Sequence, residues 1–92
     1  MSPLDAALDL FLVHVRVEKG LAANTVEGYG HDLRRYLDHL AASGLTDWAR
    51  VTRRDIQDHL ATLVGRGLSS RSQARALSAI RTFHRLLAAE KL

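Results

Sequence analysis

One segment near the C-terminal end of the chain carries arginine and hydroxyl side chains at a spacing that suits contact with a negatively charged polymer. In a helix, where successive residues are about 100° apart, five of its residues fall within about 40° of one line. They are Arg71, Arg75, Ser78, Thr82 and Arg85. The opposite side is apolar and holds Ala76, Leu77, Ile80, Phe83 and Leu87. The segment is therefore predicted to bury one face and to turn its arginines outward.

The positive charge of the chain is confined to this end. The sequence has 92 residues and a net charge of +3. Residues 66–92 contain six Lys or Arg and one acid, which gives +5, whereas residues 1–65 contain seven Lys or Arg and nine acids, which gives −2. Because local charge is what an approaching polyanion meets, this distribution favours nucleic acid as a partner.

The alternative interpretation of the segment is a solvated helix surface. Against it, Arg rather than Lys supplies almost all of the cations, and the planar guanidinium suits bidentate contact with phosphate or guanine. No acid lies between the arginines to form ion pairs between successive turns. Ser69, Ser70 and Ser72 stand at the predicted helix start, where free N–H groups attract phosphate. Arg81 lies on the flank of the row, where it can reach a phosphate or cap a neighbour.

The rest of the sequence offers little for catalysis. Most of the ten acids are predicted at helix starts or on solvent faces, and the five histidines lack the spacing of a metal site. There is no cysteine, and we find no glycine-rich phosphate loop. We therefore expect no catalytic residue, no cofactor, no metal and no small-molecule substrate in this chain.

The N-terminal sequence has neither the basic region nor the apolar region of a secretion signal. No apolar run approaches the ~18 residues that a membrane span needs. These features predict a cytoplasmic protein without a membrane partner. Because 47% of the residues are hydrophobic, we expect residues 1–92 to fold as one domain.

Apolar residues recur with helical spacing in four segments that glycines separate. The first helix is predicted to begin with Ser2 as its N-cap and Pro3 as its first residue. The second helix is predicted to begin at Asn24 or Thr25, with Asn24 and Glu27 forming a capping box.

The third helix is predicted to begin at Thr52, with Asp55 completing a capping box. The fourth is predicted to begin at Ser69 or Ser70, and Ser70 with Gln73 would make another box. No strand pattern or internal repeat is found, so the expected fold class is all-α with four helices joined by short loops.

The same pattern assigns interior positions. Tyr29 and Tyr36 are expected to lie in the core with their hydroxyls at its rim, His84 at the core edge, and Trp48 as an anchor of the connector before the third helix. In the third helix the predicted core residues are Ile56, Leu60, Leu63 and Val64.

Gly28 and Gly30 are unusual because each costs ~1 kcal/mol relative to Ala inside a helix. They indicate that a neighbouring helix or a ligand backbone comes close to the second helix, or that its first turns are weak.

Two motifs resemble the N-terminal domain of tyrosine recombinases. Residues 18–33, EKGLAANTVEGYGHDL, are similar to the family pattern "EKGLs-NT---Y--DL--F". Residues 69–83, SSRSQARALSAIRTF, are similar to the pattern "S--S--R-LSA-R-F" of the last helix of that domain. The resemblance is closest to the bacterial XerC/XerD type and extends from Leu8 to Leu92.

The resemblance implies a four-helix SAM-like core-binding domain, an orthogonal bundle of two crossed helical hairpins. In this family the domain holds one side of duplex DNA while a separate catalytic domain closes on the other side, and further recombinase subunits complete a tetramer. The function implied is site-specific recombination, as in chromosome dimer resolution and chromosome partition at cell division, with phage-type DNA integration as an alternative. The residues implied to contact DNA are Asn24, Thr25, Tyr29, Ser70, Arg71, Ser72, Arg75 and Arg81.

The resemblance also has limits. Gly30 stands where relatives often carry a basic residue. The catalytic residues of the family lie in the C-terminal domain, so Tyr29 and Tyr36 are not expected to be the nucleophile. We expect this chain to be the N-terminal piece of a longer enzyme and to be inactive alone. The rival hypothesis is a helical protein-interaction module whose cationic face binds an acidic partner.

Overall fold

The computed structural model describes residues 3–90. Within that range the chain is all-α, which confirms the predicted fold class. The four helices are α1 (Pro3–Val17), α2 (Ala23–Ala42), α3 (Arg53–Gly65) and α4 (Ser70–Ala89). A short 3₁₀ helix, Trp48–Arg50, lies in the connector between α2 and α3. None of the helices in this range is long and apolar enough to cross a membrane.

Helix α2 is the centre of the fold. It packs most extensively against α1 and α4, whereas α3 makes fewer contacts with α4 and α2. Successive contacts pair Asp32 with Arg75 and Tyr36 with His84. Tyr29 contacts Ser78 in the same region, so the two helices meet through residues 29–36 of α2 and 75–84 of α4.

The core forms where α1, α2 and α4 meet. Phe11 and Phe83 are fully buried and pack edge to face, with ring centroids 5.5 Å apart. Tyr36 is also buried, and its hydroxyl is hydrogen-bonded to Nε2 of His84 at 2.7 Å. Burial raises the pKa of Tyr36 and lowers that of His84. Both shifts favour the uncharged form of each side chain, so the hydrogen bond joins two neutral groups.

The predicted helix starts are partly right. Pro3 is the first described residue of α1, while Ser2 lies outside the described residues. The capping box of α3 is confirmed, because Thr52 accepts from the backbone of Asp55, whose carboxylate accepts from Thr52. The box predicted for α2 is wrong. That helix begins at Ala23, one residue earlier than expected, and its N-cap residue makes no side-chain hydrogen bond.

At the start of α4 the expected residues are correct: Ser69 is the N-cap residue and Ser70 is the first residue of the helix. The hydroxyl of Ser69, the N-cap residue, accepts from the backbone N–H of Ser72 at 3.2 Å. The box between Ser70 and Gln73 is wrong, because Gln73 Nε2 instead donates to the carbonyl of Leu68 at 2.8 Å.

Two positions in α3 differ from the predicted core. Val64 is 57% exposed, and Leu60 is half-buried. The face that points inward carries Leu63 and His59, which is 1% exposed. The helix is therefore rotated slightly from the orientation that its apolar residues favour, because the side chain of His59 fills the space beside Tyr36, 5.3 Å between ring centroids. Trp48 is half-buried against the core, as expected of an anchor.

The side chain of His59 is held neutral by its surroundings. Burial lowers its pKa to about 4, and the positive groups of His39, Arg35 and Arg66 act in the same direction, while Asp32 acts against them. His39 and Arg35 belong to α2, and Arg66 follows the end of α3.

The α3 capping box should contribute measurably to stability. Thr52→Ala removes the hydroxyl that accepts from the N–H of Asp55, and we expect the free energy of unfolding to fall by about 1 kcal/mol. Asn24→Ala is the matched control, since α2 gains no capping hydrogen bond from its N-cap residue and Ala is a good helix former. Urea unfolding followed by circular dichroism measures both. Equal losses in the two variants would contradict the capping assignment.

Acid should destabilise the fold through His59. Because the pKa of His59 is lower in the folded chain than its ordinary 6.5, the unfolded chain binds the proton first. The stabilisation is complete above pH ~6.5 and is lost as the pH falls towards ~4, by about 2–3 kcal/mol. Urea unfolding across this range should show a shallower pH dependence in His59→Leu than in the original chain. Parallel losses in His59→Leu and the original chain would exclude His59 as the titrating group.

Candidate nucleic-acid interface

The outward face of α4 is cationic, as the sequence predicts. Arg71, Arg81 and Arg85 are exposed and form no ion pair with any described residue. The helix itself, Ser70–Ala89, contains no acid. Unpaired guanidinium groups keep all of their N–H donors available to a ligand.

Arg75 differs from the other arginines because it binds a buried acid of α2. Its Nε donates to Asp32 Oδ2 at 2.8 Å and its Nη2 to Oδ1 at 3.1 Å, a bidentate pair. The side chain of Asp32 is 1% exposed, whereas that of Arg75 is 47% exposed. The sequence did not predict this pair, because Asp32 lies 43 positions before Arg75 and most acids were expected on solvent faces.

Gly28 makes room for the pair. A Cβ atom at this position would lie 3.3 Å from both Cζ and Nη1 of Arg75. The guanidinium therefore packs over the backbone of α2 one turn before Asp32. Of the causes that the sequence left open for this glycine, the structure supports the close approach of a neighbouring helix. Gly30 is in ordinary contact with Leu12 at 3.6 Å.

Arg75 keeps three of its five N–H donors. A guanidinium carries five N–H donors in a planar fork. The edge formed by Nε and Nη2 is used by Asp32, and the edge between Nη1 and Nη2 remains. Asp32 also raises the pKa of Arg75, chiefly through the hydrogen bond. The arginine is thus held in one orientation, stays charged, and can still make a bidentate contact with an acceptor in front of it.

The structure brings two of the predicted site residues, Tyr29 and Arg75, to the edge where α2 meets α4. Tyr29 lies beside α4, with its hydroxyl 3.3 Å from Ser78 Oγ. Asn24 and Thr25 are exposed one turn earlier on α2. Ser70, Arg71 and Ser72 lie in the first turn of α4.

Two of the predicted residues are placed less favourably. The hydroxyl of Ser72 accepts from Ser69 Oγ at 3.1 Å and is half-buried. Arg81 does not join the edge with α2 and lines a groove of about 900 Å³ between α3 and α4, together with Arg53 and Arg85. The floor of that groove is apolar and includes Ile56, Leu60, Leu77 and Ile80.

The described residues contain no group of three or more His, Asp or Glu side chains that could hold a metal ion. The chemistry available at this edge is therefore that of guanidinium groups, hydroxyls and backbone N–H groups at two helix starts. Each of these donates to an oxyanion.

Comparison with known proteins agrees with this chemistry. The family described as phage integrase, N-terminal SAM-like domain, matches residues 8–91. A protein named tyrosine recombinase XerD from Mycobacterium tuberculosis is 44% identical to the whole chain, which covers 32% of that protein. Tyrosine recombinase XerC from Pseudomonas aeruginosa is 41% identical over 92% of the chain and 28% of the relative. No solved structure matches the chain.

The ion pair should be essential for stability as well as for orientation. Arg75→Ala leaves the buried carboxylate of Asp32 without a counter-charge, and we expect a loss of about 2–4 kcal/mol at pH 7. Adding Asp32→Asn should recover part of this loss, because a neutral amide needs no counter-charge. Arg71→Ala, at an exposed and unpaired arginine, should stay within about 0.5 kcal/mol. Urea unfolding of the three variants checks the coupling, and a double variant less stable than Arg75→Ala would contradict it.

Proposed function

Since the chain belongs to the family of phage integrase N-terminal SAM-like domains, we propose that it is the DNA-binding, core-binding domain of a site-specific tyrosine recombinase. The chain spans about a third of the length of the curated relatives named above. The activity of the whole protein is therefore part of the proposal.

The observation that carries the proposal is the row of arginines on α4, which has no acid in its own helix and includes Arg75, oriented against α2 by Asp32. Affinity arises mainly from phosphate contacts, which Arg71 and the helix starts are placed to make. Arg75 supplies the most precisely oriented group, because Asp32 fixes its guanidinium. A bidentate contact of this kind with guanine contributes ~1–3 kcal/mol of discrimination between bases.

In the whole protein a separate catalytic domain supplies the nucleophilic tyrosine and cuts and rejoins DNA through a phosphotyrosyl intermediate. The environment of Tyr36 supports this division, since its hydroxyl is committed to His84 and its pKa is raised by burial. A buried phenol that resists ionisation is a poor nucleophile.

The same reasoning extends to the biological setting. We assign the whole protein to a tetramer of recombinase subunits on DNA, acting on chromosome dimers before cell division in the cytoplasm. The relatives named XerC and XerD support this assignment over phage-type integration.

DNA binding is tested with a fluorescent duplex of mixed sequence and measurement of anisotropy. With about four phosphate contacts, log K should fall with log salt at a slope of roughly −3 to −4. Arg71→Ala should weaken binding severalfold and make the slope shallower by about 1. Arg16→Ala removes the same charge from an exposed position on α1 and serves as the control.

Poly-glutamate at matched salt distinguishes the proposal from the rival interaction module. Tighter binding of duplex DNA than of poly-glutamate supports the proposal. Tighter binding of poly-glutamate, or equal effects of Arg71→Ala and Arg16→Ala on the duplex, would contradict it.

A further inference from the structure

A second cationic site lies away from the outward face of α4, between the C-terminal halves of α2 and α3. It is a pocket of about 300 Å³ lined by residues of both helices and by the residue that follows α3. The lining residues are Arg35, Asp38, His39, Ala42, His59, Thr62 and Arg66. Since one water occupies ~30 Å³ of liquid, the pocket has room for a tetrahedral oxyanion.

His59 is the unexplained group in this pocket. It is 1% exposed, and neither of its ring nitrogens has a hydrogen-bond partner among the described residues. Buried polar atoms without partners are rare in folded proteins, because they lose their hydrogen bonds to water and gain none in return. The ring is neutral at pH 7, so the pocket wall contains one unused N–H donor and one unused acceptor.

The charges around the pocket favour an anion. Arg35 and Arg66 form no ion pair with any described residue, and both act on His59 as positive charges. Asp38, the acid in the lining, is paired with Arg34 at 3.2 Å. Asp32 lies one turn before Arg35 on α2 and is paired with Arg75.

Neither the helix dipole nor a metal ion accounts for this cluster as well as an anion does. Basic groups often lie at helix C-termini because they complement the dipole, but that effect is confined to the last turn. Arg35 lies two turns before the end of α2. A metal ion is disfavoured because two unpaired arginines adjoin the histidines and no group of three ligands is present among the described residues.

We propose that this pocket binds a phosphate group, with Arg35 and Arg66 as its charged donors and His59 as the buried polar partner. A phosphate oxygen can accept from the N–H of the imidazole, and a protonated phosphate can donate to its other nitrogen, so either contact gives one of the two ring nitrogens a partner. The phosphate belongs either to the DNA backbone or to a free phosphate ion. The pocket does not include any residue of α4, so the proposal stands independently of the DNA-binding face.

The first experiment titrates inorganic phosphate into the ¹⁵N-labelled chain at constant ionic strength, with chloride as the balancing anion. Saturable shifts of the imidazole nitrogens of His59 and the backbone amides of Thr62 and Arg66 are expected. Arg66→Ala should weaken this binding roughly tenfold, because it removes a charge-assisted hydrogen bond. Arg66 is exposed, so the variant should fold normally. Arg71→Ala should leave phosphate binding unchanged.

The second experiment identifies the source of the phosphate. If the group belongs to DNA, Arg66→Ala weakens duplex binding and makes the salt slope shallower by about 1, and inorganic phosphate competes with the duplex. If the group is a free ion, Arg66→Ala still weakens the binding of inorganic phosphate, but the affinity for the duplex does not change. Non-saturable shifts, or equal phosphate affinity in Arg66→Ala and the original chain, would overturn the proposal. A loss of duplex binding in Arg71→Ala but not in Arg66→Ala would concern the α4 face only, so failure of the DNA-binding proposal and failure of the phosphate proposal can be distinguished.

Discussion

The ion pair between Asp32 and Arg75 fixes how α2 and α4 lie against each other. A carboxylate that is 1% exposed cannot remain charged without a partner, so the position of Asp32 determines where the guanidinium must be. Gly28 provides the space in which that guanidinium lies. Within the same contact between the two helices, Tyr29 meets Ser78 and Tyr36 meets His84. Because polar contacts are directional, this series specifies the register of the two helices more narrowly than apolar packing alone.

Much of the fold was predictable from the sequence because each helix carries its own signals. Helical spacing of apolar residues identified four segments, and the Thr52–Asp55 box marked the start of α3 correctly. The errors occurred where tertiary contacts override local preference. Asn24 suits an N-cap, but the N-cap residue of α2 is Ala22, which has no side chain that could cap the helix. Val64 is as apolar as Leu63, but a buried histidine takes the inward face of α3.

The site was predictable in composition and less so in geometry. Arg71 and the absence of acids on α4 can be deduced from residue spacing, since both depend on a single helix. The partner of Arg75 is 43 positions away, and no periodicity connects the two residues. Gly28 indicates that a neighbouring group comes close to α2, but the sequence does not identify that group as the guanidinium of Arg75. The burial of His59 depends on the rotation of α3 about its own axis, which the sequence does not determine.

The junction of Trp48, His84 and Tyr36 has a practical consequence. The indole of Trp48 lies 6.3 Å from the imidazole of His84 between ring centroids, and that imidazole is hydrogen-bonded to the hydroxyl of Tyr36. Since the chain has a single tryptophan, its fluorescence originates from one place where the connector, α2 and α4 meet. The molecule thus contains an intrinsic optical reporter of tertiary packing, which can be followed separately from its helical content.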